Sequence, residues 1–232
     1  KESIALDLRK DDDRLLMDDL IATADVFVQN LAVGAIDRLG YGADDLRSKR
    51  PELIVCDISG YGPDGPYADM KAYDLLVQAE SGLLSVSGAP GEYGRIGVSI
   101  ADVGTGTNAA LAMMQALFRR QRTGEGAHLT TSLFESMADW MTVPLMHHDY
   151  GGKAPERIGL AHPSISPYGG FTSADDEVVL ISIQSDREWV ILCKEILGRP
   201  EMGDDQRFAT NNARVANRTE TDGAVAAAIN RP

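Results

Sequence analysis

Asp102 stands where a carboxylate could do chemistry. It closes the extended run Gly97-Val98-Ser99-Ile100-Ala101 and leads through Val103-Gly104-Thr105-Gly106 into a long helical pattern. The free N–H groups and dipole of a helix N-terminus stabilise a carboxylate anion, and neighbouring glycines let a ligand approach the backbone. An anion so placed can face a ligand. It can equally be a helix N-cap, and local physics leaves both readings open. Any single Arg or Lys of the 22 reads by itself as solvated surface charge. Asn30 closes an apolar strand, the end at which open α/β sheets place ligands. His147-His148-Asp149 does not read as a metal site, because neighbours on a helix point about 100° apart and no third ligand motif is near. It reads as a helix end or a pocket wall, and His162 as a further pocket-lining candidate.

The elements that must position these residues fall into two regions. Ser3–Leu8 alternates like a strand, and a helix is expected near Asp12–Ala24, a strand at Asp25–Gln29 and short helices at Val33–Leu39 and Ala43–Lys49. Leu53–Ile58 is a nearly continuous apolar strand, as a parallel strand covered on both faces should be. This rhythm predicts an α/β fold with a doubly wound, mostly parallel, Rossmann-like sheet. The loop Ser59–Pro66 precedes a helix near Tyr73–Leu84. The helix behind Asp102, about Val103–Arg120, carries Ala109, Ala110, Met113, Met114, Leu117 and Phe118, so much of its circumference is expected to be buried. A strand at Ala127–Leu133 and a helix to about His148 complete a large domain over 1–150. A Gly-, Pro- and Ser-rich linker over 151–167 leads to a smaller α+β domain over 168–232, with a hairpin turned at Ala174-Asp175-Asp176 and helices around Trp189, Asn211–Asn217 and Glu220–Ile229.

The 232 residues carry a formal charge of −13, from 35 acidic against 22 basic residues, which argues against a nucleic-acid or anionic-membrane partner. No apolar run approaches the roughly 20 residues of a membrane span. Cys56 and Cys193 lie far apart inside apolar runs, as buried thiols of a reducing, cytoplasmic compartment would. The chain begins at Lys1 within a strand-like pattern and ends just after a helical one, which reads as a piece of a longer protein.

Five segments in order carry a resemblance. Asn30-Leu31-Ala32-Val33-Gly34-Ala35-Ile36-Asp37-Arg38-Leu39-Gly40 and Ser59-Gly60-Tyr61-Gly62-Pro63-Asp64-Gly65-Pro66 are the first two. Ile100-Ala101-Asp102 with Gly104-Thr105-Gly106 and Arg122–Gly126 is the third. Pro167-Tyr168-Gly169-Gly170-Phe171 and Asp205–Asn211 follow. Together they resemble the class III coenzyme A transferases, the family of formyl-CoA transferase and α-methylacyl-CoA racemase. The likeness runs along nearly the whole chain.

The resemblance implies a fold, a reaction and a set of contacts. Members form interlocked homodimers of ring-like chains, and they use acyl-CoA as substrate with no prosthetic group and no metal. The catalytic aspartate falls on Asp102, which would carry CoA between carboxylic acids through an aspartyl mixed anhydride and an aspartyl-CoA thioester. CoA-contacting positions fall on Leu6, Leu8 and Arg9, on Asn30, Leu31 and Ala32, on Arg38, and on Lys71, Ala72, Tyr73 and Asp74. The racemase branch has a histidine before this last aspartate as an acid/base group. Tyr73 stands there, and a phenol of pKa ~10 is poorly placed to shuttle a proton at neutral pH. That favours a transferase over the alternative isomerase, and the retained Asp102 disfavours an inert CoA-binding protein. The glycine-rich covering stretch of oxalate-handling members is reduced to Gly169-Gly170, which points instead to acids of the succinate, mesaconate, itaconate or citramalate type.

Overall fold

The computed structural model describes residues 1–231 and groups the chain into two compact units. The first comprises Lys1–Leu83 and Arg95–Met146; the second comprises Leu84–Gly94 and the chain from His147 onward.

The first unit is a mixed α/β structure around a parallel sheet. Helix α1 (Asp11–Thr23) opens with Asp11, Asp12 and Asp13, whose charges suit the positive end of its dipole. Strand β1 (Val26–Gln29), helices α2 (Ala35–Arg38) and α3 (Ala43–Lys49), and strand β2 (Ile54–Ser59) follow. Helices α4 (Asp74–Glu80), α5 (Leu83–Val86, all but its first residue in the second unit) and α6 (Ile100–Thr123) lead to strand β3 (His128–Ser132) and helices α7 (Leu133–Trp140) and α8 (Thr142–Gly151), whose residues from His147 belong to the second unit. The sheet order is β1-β2-β3, with Val26 opposite Ile54 and Val55 opposite His128. The central strand is buried on both faces. Leu53 and Val55 join Ile21, Ile36, Tyr41, Ala43 and Leu46 in one cluster, with Phe27 packed against it. Alternation sends Ile54 and Cys56, equally buried, to the opposite face.

Three expectations are corrected here. Ser3–Leu8 is not a strand. It has no neighbouring strand among the described residues, and an unpaired strand leaves its backbone groups without partners. Leu8 instead packs against the Ile21 cluster. Helix α6 begins at Ile100, so Asp102 lies within its first turn rather than ending an extended run. The buried face of α6 is made of small residues: Ala101, Gly104, Thr105, Ala109 and Ala116. Its large apolar residues Leu111, Met114 and Phe118 are exposed, because small side chains let the helix approach its neighbours closely. Gly104 shows this directly: a Cβ there would meet Met137 Cε at 2.9 Å and the Trp140 ring at 3.1 Å. Its glycine serves helix packing, not ligand approach.

In the second unit, β4 (Tyr168–Thr172) and β5 (Val178–Ser182) form an antiparallel hairpin, with Asp176 at a left-handed φ of 62° in the turn. Gly169 and Gly170 are paired strand residues opposite Ile181 and Leu180. Helix α9 (Asp186–Leu192) starts with a capping box between Ser185 and Glu188 and runs into a π turn over Cys193–Leu197, closed by left-handed Gly198. Helices α10 (Glu201–Asp204), α11 (Asn211–Ala216) and α12 (Arg218–Ile229) complete it. Its core gathers Phe171, Trp189, Leu192, Cys193, Leu197, Met202, Phe208 and Val225.

Candidate active site

The C-terminal ends of the three parallel strands converge on one cavity of about 380 Å³. From the end of β1 come Asn30, Leu31 and Ala32; from β2, Ile58, Ser59 and Gly60; from the end of β3, Leu133. The segment Ala68–Tyr73 forms a further wall, and Asp102 enters from the first turn of α6. This is the crevice in which parallel α/β sheets bind ligands.

Each wall has a local cause. The turn after β1 is fixed by the Gln29 side chain, whose Oε1 accepts the Leu31 N–H at 2.7 Å while its Nε2 donates to Asp57 at 2.9 Å. His128 Nε2 lies 2.7 Å from the other oxygen of Asp57, so one carboxylate ties all three strands together. These groups line a smaller cavity of about 200 Å³ that shares Leu31, Val33, Ile58 and Ser59 with the first. In the loop after β2, the Ser59 hydroxyl accepts the Gly62 N–H at 3.0 Å. Gly60 accepts the Phe134 N–H at 3.0 Å and touches the Lys71–Tyr73 wall, where a Cβ would lie 2.2 Å from that of Ala72. Tyr61 packs edge-on to Tyr67 with ring centres 5.6 Å apart. Burial pushes its phenol above the usual range, and the charge of Glu80 adds to the effect.

Asp102 is exposed, and its carboxylate has no hydrogen bond or ion pair among the described residues. Lys71 and Tyr73 are exposed beside it on the cavity wall. Asp74 is different: it is buried, and both its oxygens are occupied by protein donors. Of the sequence-derived positions, the cavity brings together Asn30, Leu31, Ala32, Lys71, Ala72, Tyr73 and Asp102. Leu6, Leu8, Arg9, Arg38 and Asp74 do not line it. Arg9 is exposed and paired with Asp7 at 2.8 Å, and the Arg38 guanidinium lies over Gly34. Sequence reasoning missed Val33, Ile58, Ser59, Gly60, Ala68, Asp69, Met70 and Leu133 as lining residues. Leu133 follows β3 directly, so the rule that ligands gather at strand C-termini could have found it. Among the described residues no His, Cys, Asp and Glu cluster could hold a metal, and His148 instead pairs with Asp149 at 2.9 Å. His162 stacks on Tyr168, with ring centres 5.1 Å apart.

Comparison with known proteins gives consistent relatives. The family model described as CoA-transferase family III matches residues 1–231. A succinate–glutarate CoA-transferase of Agrobacterium fabrum is 38% identical over 95% of this chain and 55% of its own length. An acetyl-CoA:oxalate CoA-transferase of Acetobacter aceti is 36% identical over 100% of this chain and 59% of its own. The chain therefore spans somewhat more than half the length of these curated relatives. The crystal structure of a CaiB/BaiF family protein from Brucella suis superposes with a TM-score of 0.83 at 36% identity, covering 100% of this chain and 61% of that one.

Proposed function

The chain belongs to CoA-transferase family III, and from that premise we propose that it forms the nucleophile-bearing part of an enzyme moving CoA from an acyl-CoA to a free small dicarboxylate. One observation carries the reading: Asp102 is an exposed carboxylate, unpartnered among the described residues, in the first turn of a long helix, facing the cavity that holds Asn30–Ala32 and Lys71–Tyr73. An ionised carboxylate with no competing protein donor keeps its lone pairs for attack, and the N-terminal peptide dipoles of α6 favour that anion.

The reaction needs no redox step and no net proton. An Asp102 oxygen attacks the donor thioester carbon, the C–S bond breaks, and CoA leaves as thiolate. The thiolate then attacks the aspartyl carbon of the mixed anhydride, expelling the donor carboxylate and leaving an aspartyl-CoA thioester. The acceptor carboxylate attacks that carbon and releases the thiolate a second time. Thiolate attack on the acceptor's carbonyl yields the new acyl-CoA and restores Asp102. Splitting the transfer into activated-acyl exchanges lowers each barrier. Lys71 and Arg38 suit the phosphates of CoA, with Asn30, Leu31 and Ala32 supplying backbone and side-chain contacts. The whole protein would act as an interlocked homodimer with a doubly wound large domain. The relatives are named for succinate, glutarate and oxalate, so the acid is assigned as the small dicarboxylate class. A racemase is disfavoured by Tyr73, whose phenol is a poor proton shuttle at neutral pH.

The test is intact-mass and peptide mass spectrometry of the protein incubated with succinyl-CoA and hydroxylamine. A hydroxamate on Asp102, absent in Asp102→Asn, is expected. An unmodified Asp102 in a preparation that exchanges the α-proton of an acyl-CoA with solvent would overturn the proposal in favour of the isomerase.

A further inference from the structure

Asp74 is the only buried carboxylate among the described residues, and it does not face the cavity that its neighbour Tyr73 lines. Its Oδ1 accepts the backbone N–H of Ala101 at 2.9 Å. Its Oδ2 accepts from Gln78 Nε2 at 2.8 Å and from Arg95 at 3.2 Å. Gln78 is itself fully buried, and its Oε1 accepts the Ile96 N–H at 3.0 Å. Two side chains of α4 thus hold the segment that delivers Asp102: Gln78 at Ile96, Asp74 at Arg95 and at Ala101.

Ala101 is the residue before Asp102, and it is held on both sides. Its N–H goes to Asp74, and its carbonyl accepts the buried Thr105 hydroxyl at 2.6 Å. Its methyl packs with Val77 and Met137. The Ala101 N–H is one of the orphan donors of the α6 first turn, and Asp74 supplies from another helix the acceptor that a local cap would have supplied. Ser99, at the N-cap position, makes no side-chain capping bond.

We propose that Asp74 is a positioning residue that sets the place of the Asp102 carboxylate through the Ala101 amide, rather than a contact of CoA. This rests on Asp102 being the nucleophile. The charge of Asp74 is already met by Arg95, and neither oxygen is left for a ligand. A displacement of about 1 Å at a reacting group can cost on the order of 100-fold in rate, so loss of this hold is read in turnover and not in acyl-CoA binding.

The experiment compares Asp74→Ala, Asp74→Asn and Asp102→Asn, with kcat and KM for succinyl-CoA and amide hydrogen exchange at Ala101. Asp74→Leu, of similar volume, takes the place of the alanine variant if that variant does not fold. Asp74→Ala should lower kcat about 100-fold with KM within about twofold, and Ala101 should lose exchange protection. Asp74→Asn keeps an acceptor for the Ala101 amide and should recover most of kcat. A rise in KM with kcat intact, or an asparagine variant no better than alanine, overturns the positioning role while leaving Asp102 as nucleophile. Native turnover in Asp102→Asn overturns both.

Discussion

The contact between Gly60 and Ala72 offers a sharp test, because it joins two walls of the cavity at a known distance. A Cβ built on Gly60 lies 2.2 Å from the Ala72 Cβ and 3.6 Å from its Cα. Carbon atoms pack at roughly 3.5 Å or more, so Gly60→Ala must push the walls apart by about 1.3 Å. Both neighbours are short, and no flexible side chain can swing away. Overpacking of this kind costs about 1–3 kcal/mol. A shift of that size between the Ser59-Gly60 wall and the Lys71–Tyr73 wall should also cost about 100-fold in kcat/KM. Gly60 does not have a positive φ, so the added methyl brings no backbone strain of its own. The compensating change is therefore clean: Gly60→Ala with Ala72→Gly moves the methyl across the contact and leaves an ordinary 3.6 Å approach. Urea unfolding and succinyl-CoA turnover of the four-member cycle would show the single variant impaired and the double variant mostly restored. A double variant no better than Gly60→Ala would refute the claim that this one contact sets the wall spacing.

Two further predictions concern the second unit. Arg214 is fully buried and donates to the carbonyls of Ser166 at 2.8 Å and Phe208 at 2.9 Å and to Asp186 at 2.9 Å. Arg214→Ala strands two buried carbonyls at about 1–3 kcal/mol each, while half-exposed Asp186 returns to water at little cost. The urea midpoint should fall by the equivalent of about 2–5 kcal/mol, and a loss under about 1 kcal/mol would show that the carbonyls find other partners. Burial pushes the Cys193 thiol up from 9.0 to about 11. The folded state therefore holds this proton more tightly than the unfolded chain, so the group's contribution to stability is complete below about pH 9 and lost as pH rises toward about 11. Unfolding free energies measured at about pH 8 and about pH 10 should differ less in Cys193→Ala than in the native chain; equal differences would contradict this.

Part of the cavity lining was legible in the sequence: Asn30 from its strand end and Asp102 from its helix start, and Leu31, Ala32 and Lys71–Tyr73 only through the family resemblance. The apolar run Leu53–Ile58 located β2 within one residue, and Asn30 marked a strand end that lines the cavity. Gly198 marked the end of the helix that carries Trp189. What the pattern could not carry was direction and partnership. Val103, Leu111, Met114 and Phe118 on α6 look like core in a list of residues, yet all are more than half exposed. Their helix packs through its small residues, and hydrophobicity alone does not distinguish a close-packed small face from an outward large one. Ser3–Leu8 alternates like a strand, but a strand exists only with a neighbour to pair with.

Under the proposed function, the pair of aspartates 28 positions apart shows what separates a nucleophilic from a structural carboxylate. Asp74 and Asp102 both sit in the first turn of a helix at or beside the cavity, and the helix dipole favours either anion. Residue type and helix position therefore cannot separate them. Hydrogen-bond accounting does. Asp74 is buried with its oxygens committed to Ala101, Gln78 and Arg95, so attack on a substrate would strand those donors. Asp102 is exposed, lines the cavity and has no protein partner among the described residues, so it has lone pairs to spend on a new bond. In the proposed reading, the committed carboxylate holds the backbone from which the free one projects, so the free one would meet a substrate from a fixed position.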